Sequence, residues 1–162
     1  MVDSQAFKNV MSRWATGISI ITTQNNGELH GFTANSFASV SIDPLLVTFS
    51  MGQTLSVRPH IEASGVLAIN ILKGHQAEWG KIFAGMIPEK NADSFAGIDV
   101  TTSDLGCPIL PDTLGWLSCR VQRWINVGAS DLILAEVVSA GWSDGEPLLY
   151  FHRQWGQFQP FA

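Results

Sequence analysis

The sequence GFTANSFASVSIDPLLVTFSMG, residues 31–52, is the stretch that decides the fold. It begins with hydroxyl, amide and small residues and continues into the apolar run at residues 45–51. This run alternates too little for a half-buried strand, so it predicts a fully buried one. Exposed N–H and hydroxyl donors at the end of such a strand need acceptors that a core cannot supply. The pattern therefore favours a polar, partly anionic ligand at this place.

Strand and turn signals continue on both sides of this stretch. Residues 18–23 and 29–34 flank an Asn-Asn-Gly turn and predict a hairpin, while an amphipathic helix before them is expected to lie against the body. Helices are expected near residues 56–65 and 75–85. Residues 86–112 predict an irregular loop with one short strand at 98–102, and we expect this loop to act as a mobile flap. Further strands are expected at residues 66–72, 116–125, 132–140, 148–151 and 155–158. Many strands with irregularly placed helices predict a mainly β fold, an antiparallel β-barrel with peripheral helices.

The length of 162 residues predicts a single domain, residues 1–162, and the composition predicts that this domain forms a dimer. Only 14% of the residues are charged and 46% are hydrophobic, whereas about a quarter of the residues in ordinary soluble domains are charged. Little charge is thus available to cover an isolated surface, and a twofold homodimer is the simplest assembly that hides the excess apolar area.

The charge pattern excludes several classes of partner. The net charge is −5 and the nine basic residues are scattered, so the clustered cations that a nucleic acid needs are missing. No apolar stretch approaches the roughly 18 residues of a membrane span, and the first residues do not resemble a signal peptide. The sequence predicts a cytoplasmic protein without nucleic acid or membrane as partner.

Motifs for metal, nucleophilic or phosphate-loop chemistry are missing. The four histidines show no metal-ligand spacing, and Cys107 and Cys119 lack a CxxC pattern, so we expect no metal and two buried free thiols. There is no GxSxG, GxxxxGK[ST] or GxGxxG sequence. If the protein is an enzyme, its chemistry is expected to come from a bound cofactor.

The opening stretch also resembles a known family. The ordered block Gly31-x-Thr33-Ala34-Asn35-Ser36-Phe37-x-Ser39-Val40-Ser41-x-Asp43-Pro44 is similar to the flavin reductase-like family with the FMN-binding split barrel. Later landmarks follow in the same order, namely Ile69-Asn70-Ile71-Leu72, Glu136-Val137 and Pro147-Leu148-Leu149-Tyr150-Phe151. The similarity covers about residues 6–158.

The resemblance implies a homodimeric, antiparallel six-stranded split barrel that reduces FMN, with FAD as the alternative, using NADH or NADPH. It also implies a flavin-dependent monooxygenase as a partner that receives the reduced flavin. The flavin ring and ribityl chain would contact Thr33, Ala34, Asn35 and Ser36, with Ser39, Val40 and Ser41 beside them. The flavin phosphate would approach Ser50, Ser56 and Arg58. Phe83 would lie near the flavin or the nicotinamide.

One position departs from the family pattern. A Gly-Asp-His turn commonly places a histidine near the nicotinamide, and Ser130 stands at the histidine's position here. Ser130 is therefore the predicted catalytic residue. Its hydroxyl can donate a hydrogen bond to the nicotinamide carboxamide, but it carries no titrating charge. A flavin-binding electron carrier without efficient nicotinamide use, and a split-barrel protein that binds another ligand or none, therefore stay open as alternatives.

Overall fold

The computed structural model describes residues 2–161, which form twelve strands, three α-helices and two short 3-10 turns. The helices are α1 (Ser4–Met11), α2 (Arg58–Ser64) and α3 (Ala77–Phe83), and the 3-10 turns are Gly74–Gln76 and Pro88–Lys90. The strands are β1 (Thr16–Gly17), β2 (Ser19–Asn25), β3 (Glu28–Ala34), β4 (Ala38–Ile42), β5 (Leu45–Gly52), β6 (Val66–Ile71), β7 (Thr101–Thr102), β8 (Pro108–Ile109), β9 (Gly115–Val127), β10 (Ser130–Trp142), β11 (Leu148–Phe151) and β12 (Gln154–Gln157).

Seven strands form one antiparallel sheet in the order β3-β2-β6-β9-β10-β5-β4. The sheet bends until β3 contacts β5, but no ladder of hydrogen bonds joins these two strands within residues 2–161. The predicted mainly β, antiparallel fold with helices is confirmed. The sheet has seven strands instead of the six that were predicted, and its hydrogen bonding does not close. The strands β1, β11 and β12 form a separate small sheet.

The hairpin of β2 and β3 brings the decisive stretch to one edge of this sheet. Its turn residues Asn26 and Gly27 have φ angles of 53° and 83°, which suit the two-residue turn that an Asn-Gly pair favours. The predicted hairpin is therefore confirmed. Among the strands of residues 2–161, β3 pairs with β2 alone, so the backbone groups on its other side are free to bind something other than the sheet.

The strand β5 is half-buried, so the prediction of a fully buried strand is wrong. Its side chains alternate: Val47, Phe49 and Met51 are buried, whereas Leu45 and Ser50 are exposed. The strand lies in an antiparallel sheet with only one face towards the core, which produces this period of two. Adjacent apolar residues at the start of the strand hide the alternation in the sequence.

Buried side chains from the sheet and from α2 form the main core. It is built around Ile21, Phe49, Leu67 and Ile133, none of which is exposed. Asn70 of β6 is also fully buried, and its amide donates to the carbonyl of Ile20 at 3.1 Å and accepts from the N–H of Leu110 at 2.9 Å. A polar side chain in this position joins the sheet to the segment ahead of β9 without leaving an unpaired group.

The helix α1 does not bury its apolar face, contrary to the prediction that it lies against the body. Phe7 and Val10 of α1, and Trp14 just beyond its end, are 61%, 69% and 70% exposed, and no residue of the helix is buried. The amphipathic pattern is real, but no element within residues 2–161 buries the apolar side. No helix among residues 2–161 has the length and hydropathy to cross a membrane.

The segment between α3 and β9 is only partly irregular. Cys107, Ile109 and Leu110 are buried, and β7 pairs with β8, so the second half of the segment is packed against the sheet. The short strand expected at 98–102 is found at its end, as β7. Mobility of this segment as a flap stays a prediction for residues 86–94 alone.

Candidate functional site

A cleft opens along the free edge of β3, between this strand, the loop from β5 to α2 and the end of α3. Its inner part, here called the inner cleft, has a volume of about 400 Å³ and is lined by Gly31, Phe32, Thr33, Leu55, Ser56, Val57, Ile82, Phe83, Ala84, Gly85, Asn91 and Ser94. The adjoining mouth has a volume of about 230 Å³ and is lined by Ile18, Thr33, Asn35, Ala84, Met86, Tyr150, Arg153 and Trp155. Clefts of this size are typical of small-molecule sites.

Two glycines allow the walls of the cleft to come together. A Cβ at Gly31 would lie 2.9 Å from Cε1 of Phe83 and 3.0 Å from the carbonyl oxygen of Ile21, so no side chain fits there. A Cβ at Gly80 would lie 2.7 Å from the ring of Trp155. Both glycines serve close packing of α3, against β3 on one side and against β12 on the other.

The hydroxyl of Thr33 fixes α3 over the edge of β3. It donates to the carbonyl of Gly80 at 2.7 Å, and it is thereby used within the protein. Thr33 lines both parts of the cleft, so its backbone is the part that remains for a ligand. Phe83 is 6% exposed and meets Phe95 edge to face at 4.8 Å between ring centroids. It therefore forms a rigid wall of the inner cleft.

The residues after β3 divide between the cleft and the frame that supports it. Asn35 lines the mouth and is exposed. The hydroxyl of Ser36 accepts from the N–H of Ser50 at 2.9 Å and donates to its carbonyl at 3.2 Å. Ala34 is buried in the core, its carbonyl accepts from the hydroxyl of Ser19 at 3.0 Å, and it lines neither part of the cleft. The Ser36–Ser50 pair holds the β3–β4 loop against β5.

Arg58 is held by two carboxylates and does not line the cleft. Its Nε donates to Asp131 at 2.7 Å and its Nη1 to Glu62 at 2.9 Å. Asp131 is buried and also accepts from Gln53 and Asn126, at 3.3 Å each. The hydrogen bond from Arg58 holds the pKa of Asp131 below its usual value. The pair joins the start of α2 to the start of β10, and the phosphate contact of Arg58 stays a prediction.

Four predicted site residues lie away from the cleft. Ser39, Val40 and Ser41 belong to β4, which is the edge of the sheet opposite to β3, and none of them lines the inner cleft or the mouth. Ser130 begins β10 beside Gly52 of β5 and does not line either part. Neighbours in sequence were predicted to share the site, but the strand order separates them. Ser56 and Phe83, by contrast, do line the inner cleft.

The hairpin of β11 and β12 supplies residues that the sequence did not single out. Tyr150 and Trp155 lie edge to face with ring centroids 5.8 Å apart, and Arg153 occupies the turn between them. All three line the mouth. The only sequence signal was the run 147–151, which served as a family landmark and not as a site. The loop residues Asn91 and Ser94 of the inner cleft gave no signal at all.

A polar extension of about 360 Å³ continues the inner cleft past Gly31 towards Glu28 and Asp93. His30 lines it and stacks on His60 with ring centroids 3.5 Å apart. Burial, together with the neighbouring His60, lowers the pKa of His30 below its ordinary value. At neutral pH this end of the cleft therefore carries no positive charge from His30.

The arrangement fits binding of a flat polar ligand better than catalysis by side chains. Within residues 2–161 there is no group of three or more side chains that would hold a metal ion. Cys107 and Cys119 are buried free thiols, as predicted, and burial raises their pKa values to about 11 and about 12. Neither is a thiolate nucleophile at neutral pH. The cleft offers free backbone groups, small side chains and an aromatic wall.

Comparison with known proteins gives a consistent result. The family model described as "Flavin reductase like domain" matches residues 11–159. The chain is 31% identical over 156 residues to FMN reductase (NADH) SmoA of Agrobacterium fabrum, covering 96% of this chain and 87% of that protein. It is 34% identical over 160 residues to the reductase subunit HsaB of a flavin-dependent monooxygenase of Rhodococcus jostii, covering 98% and 80%. The solved structure of flavin reductase PheA2 superimposes with a TM-score of 0.90 at 33% identity, covering 98% of this chain and 100% of that one.

Proposed function

This chain belongs to the flavin reductase-like domain family, and we propose that it is an NAD(P)H-dependent flavin reductase. The observation that carries the proposal is the cleft at the free edge of β3, closed by Phe83 over Gly31. The flavin is FMN, with FAD as the alternative, and the electron donor is NADH or NADPH. When bound, the flavin supplies the hydride acceptor N5, so the protein needs no nucleophile of its own.

The residues present fit a flavin. An isoalloxazine edge carries carbonyls and nitrogens, which need donors and acceptors at close range, and the unpaired backbone of β3 offers both. Gly31 has no side chain, so Phe83 can pack directly over β3 and form the wall of the cleft there. The backbone of Thr33, the amide of Asn35 and the hydroxyl of Ser56 hold the flavin, and Ala34 supports Thr33 from the core. Phe83 limits where its ring can lie.

Three other predicted residues, Ser36, Ser50 and Arg58, act on the position of these groups. The Ser36–Ser50 pair fixes the loop that carries Asn35. The Arg58–Asp131 pair fixes the loop that carries Ser56. Charge-assisted bonds of this kind are shorter and stronger than neutral ones, so they define the loop geometry before a ligand arrives.

We further propose that the chain works as a homodimer of the split-barrel class. The bare apolar face of α1 is the supporting observation, together with Ile42 and Trp142, which are 85% and 87% exposed. Faces of this kind are unfavourable on an isolated chain and favour association with a second copy. A monomer in light scattering at micromolar concentration would contradict this assignment. A location in the cytoplasm agrees with the two unpaired thiols.

A flavin-dependent monooxygenase is the proposed recipient of the reduced flavin, as the name of the relative HsaB suggests. A second candidate function, a flavin-binding electron carrier, is favoured by one observation: Ser130 lies outside the cleft, so it supplies no nicotinamide contact there. The two functions differ in whether NADH or NADPH reduces the flavin at a useful rate.

Anaerobic stopped-flow mixing tests the proposal. The protein with FMN or FAD is mixed with NADH or NADPH, and the loss of flavin absorbance is followed. Rapid bleaching supports the reductase. Flavin binding without bleaching by either nucleotide leaves the electron carrier. An absence of both bleaching and flavin-induced quenching of tryptophan emission would reject both.

Binding is tested separately with Asn35→Ala. We expect flavin binding to weaken by about 1–3 kcal/mol, because a polar group of the ligand loses its partner. The matched control is Gln24→Ala, an exposed amide at the end of β2, which should leave the flavin dissociation constant unchanged. Equal dissociation constants for the two variants would remove Asn35 from the site.

A further inference from the structure

The charge of the cleft is concentrated in one side chain. Among residues 2–161, Arg153 is the only Lys or Arg that lines the inner cleft or the mouth, and no carboxylate pairs with it. Arg58, the other cation expected here, is neutralised by Asp131 and Glu62. An exposed, unpaired guanidinium at the rim of an apolar mouth is free to bind an anion from solution.

The backbone that carries Arg153 is strained. His152 and Arg153 form the two-residue turn between β11 and β12, with φ angles of 50° and 63°. Turns of this type favour Asn and Gly, because other side chains meet the backbone in the left-handed region. Neither residue here is one of these. Strain that persists in a functional cleft indicates a role for the side chain that is retained there.

The turn is held in place at three points, so Arg153 is presented in a defined position. The N–H of His152 donates to the carbonyl of Ser12 at 2.6 Å. Trp155 packs on Gly80 of α3, and Tyr150 pairs with Thr16 of β1. A guanidinium on such a support loses little freedom when it binds.

The volume of the mouth and the residues around it limit which ligand Arg153 can contact. About 230 Å³ with Tyr150 and Trp155 as walls admits one planar ring but not a whole dinucleotide. The mouth shares Thr33 and Ala84 with the inner cleft, so a ring in the mouth would lie next to a ligand in the inner cleft. In a flavin reductase, the ring that must come this close is the nicotinamide.

We propose that Arg153 recognises the phosphates of the pyridine nucleotide while its nicotinamide ring occupies the mouth. This inference rests on the proposed reductase function and names the residue that determines donor binding. It also accounts for binding of the donor although Ser130 lies outside the cleft. A guanidinium suits phosphate because it donates two parallel hydrogen bonds and keeps its charge at every relevant pH.

The test measures KM for NADH and NADPH, kcat, and the flavin dissociation constant in Arg153→Gln and Arg153→Gly. Loss of a charge-assisted phosphate contact should raise KM for the nucleotide about tenfold or more. The value of kcat and the flavin dissociation constant should change less than about twofold. Arg153→Lys should recover part of the loss. The Gly variant removes the side chain and relieves the turn, so it is expected to fold at least as well as the native chain.

Arg123→Gln is the matched control, since Arg123 is exposed on β9 and lines neither part of the cleft. KM should stay at the native value in this variant, which excludes a general effect of net charge. A KM in Arg153→Gln equal to that of the control overturns the inference while the reductase function stands. A rise in the flavin dissociation constant with unchanged KM overturns it too, because the guanidinium then binds the flavin phosphate. If the native protein oxidises neither nucleotide, the proposed function itself fails, and the inference with it.

Discussion

Replacing Gly31 by Ala should damage both stability and flavin binding, because it inserts a methyl group where α3 packs on β3. The new Cβ would lie 2.9 Å from Cε1 and 3.1 Å from Cδ1 of Phe83, and 3.0 Å from the carbonyl oxygen of Ile21. The carbonyl belongs to the sheet and cannot yield. The ring of Phe83 is backed by Phe95 at 4.8 Å, so it also has little room to move.

The size of the effect follows from two opposing terms. Overpacking of a well-packed site typically costs about 1–3 kcal/mol. A Gly-to-Ala change also stabilises by about 0.4–1 kcal/mol, because it restricts the unfolded chain. Gly156→Ala should show only the stabilising effect on the unfolded chain, because nothing lies within 4 Å of the Cβ that it would introduce. The difference between the two variants therefore isolates the clash, at about 1–3 kcal/mol.

Urea denaturation of both variants gives the two free energies of unfolding, and quenching of tryptophan emission gives the flavin dissociation constants. Gly31→Ala should be the less stable variant and should bind flavin more weakly, because Phe83 is pushed into the inner cleft. Phe83→Leu should relieve part of the clash, so the double variant should be more stable than the sum of the single effects predicts. Equal stabilities of the two glycine variants, with equal flavin affinities, would refute the close packing described here.

Three further predictions concern buried polar groups. Asn70→Ala should lower the free energy of unfolding by about 1–3 kcal/mol, because it leaves backbone groups unpaired in the core, and urea denaturation measures this. Cys107 and Cys119 should react with a thiol reagent only after unfolding, since burial raises their pKa values to about 11 and about 12; fast labelling of the native protein would contradict this. Arg58 lowers the pKa of Asp131 in the folded protein below the value of about 4 in the unfolded chain. The ionised carboxylate therefore stabilises the fold above about pH 4, and this stabilisation is lost as the pH falls through the folded pKa. Asp131→Asn should therefore flatten stability against pH in the acid range, and parallel curves would disprove the effect.

Local signals in the sequence predicted the elements well. The Asn26-Gly27 turn needs φ values that few residues tolerate, and the hairpin follows from it. The helix α2 begins and ends where Pro59 and Gly65 predict, with Gly65 in the left-handed conformation. The position of α1 was not predictable in this way, because an amphipathic pattern shows that an apolar face exists but not which molecule covers it.

The structure brings the predicted residues of β3 to the cleft, but it does not bring there those that depend on how distant strands meet. Thr33 and Asn35 line the cleft because they follow the free edge directly. Ser39 and Ser41 were expected to share it, but β4 lies at the other edge of the sheet. Strand order is set by long-range pairing, which single-sequence patterns do not contain. The position of Arg153 at the mouth also depends on long-range pairing, through the hairpin of β11 and β12.

The two halves of the cleft should respond to mutation in opposite ways. In the inner cleft the ligand meets backbone groups and small side chains around Gly31 and Ser56, so truncation removes little, whereas added volume obstructs the approach. In the mouth, recognition depends on the large side chains of Tyr150, Arg153 and Trp155, so truncation removes the contact itself. An enlarging substitution at Gly31 should therefore affect flavin affinity first, and truncation of Tyr150, Arg153 or Trp155 should affect the KM of the nucleotide first. Under the proposed function, this division would let a chain with Ser130 in place of the usual histidine keep its flavin site and bind the electron donor through Arg153.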